Sequence, residues 1–180
     1  SAIRKADRLG ITTSVSTDPA EIHAFYEEER KVAERQGFIP FSETFLETQF
    51  TAFLEDDAVA LVHSYDEQKQ LLASAFVIFY NGEAVYHYGV STELNAKLPG
   101  SYACQWRAIH EAQARGCTRY NFWGIAPKEE TSHRFAGVSL FKRGFGGFEV
   151  AYAPAQDIPL SLRYWVTYVF EMLRKKYRRL

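Results

Sequence analysis

Two adjacent cations stand beside a glycine-bracketed aromatic residue in the last third of the chain. Lys142 and Arg143 follow Phe141 directly and precede residues 144–146, which read Gly-Phe-Gly. Glycines allow tight turns and close approach of a ligand, and an ammonium group held near them can stabilise an oxyanion during acyl transfer. The alternative is that both cations are solvated side chains on a short helix. The residues alone leave both interpretations open.

The other residues capable of chemistry do not form a set of nucleophile, base and orienting group. Two cysteines lie in a predicted helix and at the start of a predicted strand, where packing as free thiols is expected. The histidines in predicted helices and strands have no metal-ligand spacing, and the remaining one lies in a polar loop from which it could reach a site. These residues are Cys104 and Cys117, then His23, His63, His87 and His110, and finally His133. We therefore expect no bound metal.

The first half of the chain is predicted to contain helices followed by a three-stranded antiparallel meander. A helix ending before Gly10 is followed by a strand at 11–16, a helix capped by Asp18 and Pro19, and a helix capped by Ser42. Strands are predicted at 58–65, 71–80 and 83–90, and Asn81-Gly82 indicates a type I′ turn between the last two.

The second half of the chain is predicted to alternate helices with short strands. The expected elements are a helix at 99–115, a strand at 118–123, a polar loop at 124–134, a short helix at 138–145, a strand at 148–152 and a helix at 159–177. On the first helix, Tyr102, Trp106, Ile109 and Gln113 share one side; on the last helix, Leu162, Trp165, Val166, Val169 and Leu173 are predicted to face inward. This order predicts a mixed α/β sheet in one domain over residues 1–180.

Composition and charge limit the function classes. The 180 residues are 47% hydrophobic and 16% aromatic, which is enough for a core, and no apolar stretch is long enough to cross a bilayer. Residues 1–100 carry a net charge of −8 and residues 101–180 a net charge of +7. The second half could therefore face an anionic partner, or the two halves could neutralise each other within one fold. Ser1 is neither a natural initiator nor a signal peptide start, and we interpret it as a processed or excised end.

Two motifs at a defined spacing carry a family resemblance. Residues 120–125 read YNFWGI and residues 137–147 read GVSLFKRGFGG, with Tyr152 and Pro159 beyond them. Together they resemble the closing domain of FemABX aminoacyltransferases, and the order of elements is similar to the GNAT-type N-acyltransferase fold. Ala153-Pro154 departs from the family pattern, which tends to have a glycine after the tyrosine. The resemblance implies that the chain is the second of two GNAT-like domains in a longer protein.

The resemblance also implies an activity and a set of site residues. FemABX proteins transfer an amino acid from aminoacyl-tRNA to the stem-peptide amine of a peptidoglycan precursor, which is a UDP-linked or a lipid-linked pentapeptide. By this resemblance Lys142 is the electrostatic catalyst with Phe141 beside it, and the expected substrate contacts are Tyr120, Trp123, Arg143, Gly144 and Phe145. No cofactor is implied, because the ester of the aminoacyl-tRNA is already activated. The implied location is the cytoplasm, including the inner face of the membrane.

The C-terminal cations are a candidate surface for tRNA. Arg174, Lys175, Lys176, Arg178 and Arg179 could contact the phosphates of an acceptor arm. Equally, cations are favoured at the C-terminal end of a helix.

Two other functions stay open. One is a CoA-dependent N-acyltransferase, although residues 97–101 (KLPGS) are a degenerate version of the expected phosphate loop. The other is a non-catalytic module that binds tRNA or a protein partner.

Overall fold

The computed structural model describes residues 1–129, 133 and 135–178, with the side chain of Arg178 left out. In chain order the elements are α1 (Ala2–Arg8), β1 (Thr12–Ser16), α2 (Ile22–Gln36), α3 (Glu43–Leu54), β2 (Val59–Tyr65), β3 (Leu71–Tyr80), β4 (Glu83–Ser91), α4 (Gly100–Ala114), β5 (Arg119–Asn121), α5 (Ala136–Arg143) and α6 (Arg163–Arg178). Short 3₁₀ turns precede α2, at Pro19–Glu21, and α4, at Glu93–Ala96. The described part of the chain contains no helix long and apolar enough to cross a membrane.

The predicted capping residues define where the first helices begin and end. The Asp18 side chain accepts a hydrogen bond from the Ala20 amide at 2.9 Å, and Ser42 Oγ accepts one from the Phe45 amide at 3.3 Å. Gly37 ends α2 in the left-handed conformation with φ of 70°. These contacts satisfy backbone groups that a helix end leaves unpaired. The predicted start at Ser42 is confirmed, whereas Asp18 caps the 3₁₀ turn Pro19–Glu21 and α2 begins after it at Ile22.

The five strands form one mixed sheet in the order β1-β2-β3-β4-β5. Neighbouring strands are antiparallel up to β4, and Asn81 and Gly82 join β3 to β4 with φ angles of 48° and 74°, as a type I′ turn requires. β5 returns parallel to β4 after α4 and pairs with it only through Glu83–Val85. A meander followed by a helical crossover and a parallel strand is the predicted arrangement.

Each face of the sheet carries its own core cluster. The α2 and α3 face is aromatic, with Phe25, Phe50 and Phe76 fully buried. The opposite face is built from small residues, because α4 approaches the sheet through Ala103, Cys104, Ala108 and Ala112. The side of α4 shared by Tyr102, Trp106, Ile109 and Gln113 is therefore not the side that contacts the sheet: Trp106 and Gln113 are exposed, and the other two are half-buried. Small side chains permit the close contact between helix and sheet that large ones would prevent.

The chain divides into two compact units, residues 1–123 and 124–180. The first contains the sheet with α1–α4, and the second contains α5 and α6. The expectation that residues 1–180 are a single GNAT-like domain, the second domain of a longer protein, stays a prediction.

Two predictions for the second unit were wrong. Residues 148–152 form no strand and are exposed, because no described strand pairs with them. The helix predicted at 159–177 begins only at Arg163, and the side chains predicted to face inward are exposed. Periodicity marks a helix as amphipathic, but it does not identify what covers the apolar side.

Candidate functional site

Helix α5 is fixed to the segment that follows β5 in the chain. Ser139, only 1% exposed, accepts a hydrogen bond from the Ala126 amide at 2.8 Å and donates one to the Phe135 carbonyl at 2.7 Å. Buried hydroxyls are paired in this way because an unpaired one is costly. Ser139 therefore sets the position from which the last turn of α5 presents its cations.

Lys142 joins the two sequence motifs. Its Nζ donates a hydrogen bond to the Gly124 carbonyl at 2.7 Å, and Gly124 belongs to the YNFWGI motif. The side chain is half-buried, and this burial lowers the pKa of Lys142. A cation in a partly desolvated position interacts more strongly with nearby charge than one in bulk water. The contact therefore links the two motifs in the structure.

Arg143 is engaged in contacts within the second unit. Its guanidinium donates to the Ala126 carbonyl and to Glu149 Oε1, each at 2.8 Å, and Lys128 Nζ lies 3.3 Å from the same carboxylate oxygen. The hydrogen bond from Arg143 lowers the pKa of Glu149. The sequence did not point to Glu149, since an acidic residue after two glycines has no distinctive pattern. The predicted substrate contact of Arg143 stays a prediction.

The aromatic and glycine residues around Lys142 have separate structural roles. The rings of Phe141 and Phe145 meet edge to face, with their centroids 5.5 Å apart, and this contact stabilises the position of both rings. Gly144 ends α5 with an ordinary helical φ of −59°, whereas Gly146 has a φ of 78° that favours glycine. Their predicted binding roles are untested by this geometry.

Tyr120 is built into the core of the first unit. Its hydroxyl donates to the buried Gln105 side chain at 2.7 Å, and its ring packs against the small-residue core cluster. Burial raises the pKa of Tyr120 well above its usual value. The structure therefore gives this residue a packing role, while substrate contact stays a prediction.

The pairing of Tyr120 with Gln105 makes a stability test. The Tyr120→Phe variant leaves the buried side-chain oxygen of Gln105 without its hydrogen-bond donor. This loss should lower the unfolding free energy by about 1–3 kcal/mol. Denaturant unfolding measures this loss, and Tyr65→Phe on β2 is the control. Transfer by the folded variant should be unchanged; a large fall in activity with unchanged stability would instead favour the substrate contact.

Trp123 is the most open of the predicted substrate-binding residues in the first unit. It is 61% exposed, and its φ of 66° is unusual for a bulky residue. A hydrogen bond from the Trp123 amide to Asn121 Oδ1, at 2.8 Å, stabilises this conformation. Asn121 is itself held in place because its Nδ2 donates to Glu83 at 2.9 Å. The indole lies edge to face with His87 at 6.2 Å. These contacts present an exposed aromatic ring just after β5.

The predicted tRNA-binding cations lie at the end of α6. Arg174 pairs with Glu171 at 2.7 Å, while Lys175 and Lys176 are exposed. The side chain of Arg178 and the whole of Arg179 lie outside the described residues. Their role in tRNA binding stays a prediction.

Two of the remaining reactive side chains have contacts that fix their position, and one buried carboxyl was not anticipated from the sequence. Cys104 is buried, donates to the Val62 carbonyl at 3.1 Å, and has its pKa raised by burial. The His133 ring accepts a hydrogen bond from the Phe135 amide at 3.1 Å. Within the described ranges, no group of three or more metal-ligating side chains comes together. The unanticipated group is Glu29, a buried carboxyl in the run EEER, although it lies four residues after Phe25 and four before Ala33 on the apolar stripe of α2.

Comparison with known proteins identifies the family. Residues 56–170, more than half of the chain, match the FemAB family. This chain belongs to the FemAB family. The aminoacyltransferase FemA of Staphylococcus epidermidis is 35% identical over 81 residues, which are 45% of this chain and 19% of that protein. The chain thus spans about a fifth of the length of this relative.

Solved structures confirm the fold expected of a FemAB-family chain. The crystal structure of FemX superposes with a TM-score of 0.73 at 18% identity, covering 81% of this chain and 52% of that one. A predicted acetyltransferase of Clostridium acetobutylicum, solved with acetyl-CoA, gives a TM-score of 0.57 at 13% identity over 86% of this chain and 97% of its own. The predicted mixed α/β, GNAT-like fold is therefore correct.

Proposed function

We propose that this chain is part of an aminoacyltransferase that moves an amino acid from aminoacyl-tRNA to the stem-peptide amine of a peptidoglycan precursor. Family membership supports the reaction class, and the relative named FemA is called an aminoacyltransferase. The observation that carries the proposal is the fixed position of Lys142, held by the Gly124 carbonyl between the two motifs.

The chemistry is the aminolysis of an ester. The acceptor nitrogen attacks the ester carbonyl, a tetrahedral oxyanion forms, and its collapse makes the amide while releasing the 3′-hydroxyl of the tRNA. The proton lost by the amine goes to the leaving oxygen, so no protein base is obligatory. Positioning and charge stabilisation can account for much of the rate, and the reaction needs no cofactor.

Lys142 is the group that we assign to the oxyanion. Its ammonium is half-buried, is held by a backbone carbonyl, and does not have to reorganise when charge develops. Phe141 and Phe145, on either side of Lys142 in the chain, form an apolar edge-to-face pair. The carbonyl of Ala126 and the carboxylate of Glu149 hold Arg143 next to it in the chain, which limits the motion of the last turn of α5.

The partners follow from this chemistry. The basic end of α6 is the proposed contact for tRNA phosphates, and Trp123 is an exposed surface on which a base or a sugar could stack. The acceptor is a peptidoglycan precursor, soluble or lipid-linked. Charged tRNA is a cytoplasmic substrate, so we propose that the reaction takes place there, including at the inner membrane face.

A CoA donor is the competing proposal, since a structural neighbour was solved with acetyl-CoA. In GNAT enzymes the start of the central helix holds the pyrophosphate, and here α4 begins at Gly100 after Pro99, which has no N–H. The Ser101 amide is already used, because it donates to Asn95 Oδ1 at 2.7 Å. A side chain at Gly100 would meet Leu72 within 2.4 Å, so this glycine serves packing against β3. The helix start is thus poorly equipped to bind a pyrophosphate.

Calorimetric titration distinguishes an aminoacyl-tRNA donor from an acetyl-CoA donor. The full-length protein should bind a minihelix ending in a non-hydrolysable 3′-aminoacylamide saturably, and acetyl-CoA should give no saturable heat. Removing residues 174–180 should weaken minihelix binding and flatten its dependence on salt, because fewer phosphate contacts release fewer counterions. Saturable binding of acetyl-CoA together with no binding of the minihelix would contradict the proposal.

A further inference from the structure

A bulge in β4 places two consecutive rings on the same face of the sheet. In the pairing of β3 with β4, Phe76 lies opposite Tyr88 and Val77 lies opposite Tyr86, so His87 is the extra residue. The rings of His87 and Tyr88 both contact the Phe76 ring, each with centroids 5.7 Å apart. Bulges turn side chains away from the regular alternation and are frequent next to functional sites. Here the bulge turns His87 towards the side that α2 and α3 cover.

A buried carboxyl from α2 lies on this face. Glu29 is 8% exposed, and among the described residues its Oε2 has no hydrogen-bond partner. Burial raises the pKa of Glu29 to about 7. Burial raises the pKa of the Tyr88 hydroxyl, and the negative charge of Glu29 raises it further. A buried carboxyl without a partner destabilises a fold, so its presence calls for an explanation other than stability.

Two further polar atoms beside Tyr88 are also unsatisfied. Gln49, from α3, hydrogen-bonds the Tyr88 side chain, yet its Oε1 is buried without a partner in the described part of the chain. His87 Nε2 is also buried and has no hydrogen-bond partner among the described residues. The centroids of the His87 and Tyr88 rings are 4.1 Å apart. A carboxylate oxygen, an amide oxygen and an imidazole nitrogen can each accept a hydrogen bond. The surroundings of Tyr88 therefore contain three acceptor atoms that have no donor among the described residues.

Exposed aromatic rings lie next to Tyr88 and His87. Phe41 lies 5.6 Å from the Tyr88 ring and stacks on Phe45 at 4.7 Å, while Trp123 lies 6.2 Å from the His87 ring. Phe41, Phe45 and Trp123 are all exposed. Ring faces attract cations through their quadrupole, and this attraction adds to that of a carboxylate.

We propose that Glu29, Gln49 and His87, together with the aromatic rings beside Tyr88 and His87, form a binding site for a primary ammonium group. An ammonium group has three N–H donors and no acceptor, which matches three acceptors and one negative charge. An anionic ligand is disfavoured because Glu29 would repel it. The ammonium could be the α-amine of an aminoacyl group or the side-chain amine of a peptide. The site lies wholly within residues 1–123 and does not depend on the role of Lys142.

Chemical-shift titration tests the site with simple amines. The full chain, just above neutral pH where Glu29 is largely ionised, is titrated with alaninamide and separately with Nα-acetyl-lysinamide, while the Glu29 carboxyl, the His87 ring and the Trp123 indole signals are followed. Nα-acetyl-alaninamide, which has no ammonium group, is the control ligand. Saturable shifts with at least one amine and none with the control are expected. The amine with the lower Kd identifies the source of the ammonium.

Variants distinguish binding from a general loss of structure. Glu29→Gln should raise the Kd at least tenfold while its unfolding midpoint is no lower than that of the wild type. Glu34→Gln, an exposed change on the same helix, should leave the Kd unchanged. His87→Phe keeps a ring but removes the acceptor, and it should raise the Kd several-fold. Equal affinity of Glu29→Gln and wild type, equal binding of the acetylated control, or no saturable shift with either amine would overturn the proposal.

Discussion

The Lys142→Met variant is expected to lower kcat for aminoacyl transfer about 10²–10³-fold, the size of effect seen when one group stabilising an oxyanion is removed. Methionine has nearly the shape of lysine but no charge, so packing is retained. KM should change little, because the ammonium interacts most strongly with charge that exists only in the transition state. Steady-state kinetics of the full-length protein with charged tRNA measure both constants.

Two controls restrict the interpretation of that loss. Lys142→Met also removes the hydrogen bond to the Gly124 carbonyl, which should cost about 1 kcal/mol of unfolding free energy and leave the protein folded. Lys5→Met, an exposed change on α1, should leave kcat unaltered. Lys142→Arg keeps a charge at a different reach, and partial activity is expected. An unaltered kcat in folded Lys142→Met would exclude the electrostatic role.

The Glu29→Gln variant is expected to be more stable than the wild type at alkaline pH, by up to about 3 kcal/mol, from the difference between a folded pKa of about 7 and an unfolded value of 4.5. The direction of this pH dependence follows from the number of protons bound to the folded and unfolded states. Between these two values the unfolded chain has released its proton and the folded protein still holds it. The stability of the wild type therefore falls as pH rises from about 4.5 to about 7. Glutamine does not ionise, so the variant lacks this decrease.

Denaturant unfolding at several pH values measures the effect. The difference in unfolding free energy between Glu29→Gln and wild type should be near zero at about pH 4 and largest at about pH 8. Glu34→Gln, which replaces an exposed carboxylate on α2, should show no such trend. A difference that stays constant across this range would mean that Glu29 ionises normally in the folded protein. The predicted gain in stability would instead place Glu29 among residues that are kept for function at the expense of stability.

Local signals in the sequence predicted most of the sheet and the helix ends. Asn81-Gly82 specifies a turn by itself, and Asp18 and Ser42 specify helix starts, because each acts on backbone groups a few residues away. Predictions that depended on distant partners were less successful. Residues 148–152 have a strand-like composition but no partner strand among the described residues, and α4 approaches the sheet through its small residues.

In the candidate site, too, some features could be predicted from the sequence and others depended on distant contacts. The motif around Lys142 was recognisable because its side chains are distinctive. Its partner is a backbone carbonyl at Gly124, and any residue type can supply a carbonyl, so the contact leaves no signal in the sequence. Glu29 is the opposite case, since a charged residue on the apolar stripe of α2 was a visible signal. The bulge that brings His87 towards it depends on strand register, which one sequence does not specify.

Single-turnover transfer by the full-length protein tests the central claim most directly. The protein is mixed with charged tRNA and a stem-peptide precursor, and the product is identified by mass spectrometry. The predicted result is a new amide between the amino acid and the precursor amine, formed without CoA and about 10²–10³-fold more slowly with Lys142→Met. Acetylation of an amine from acetyl-CoA, with no product from any charged tRNA, would contradict the account.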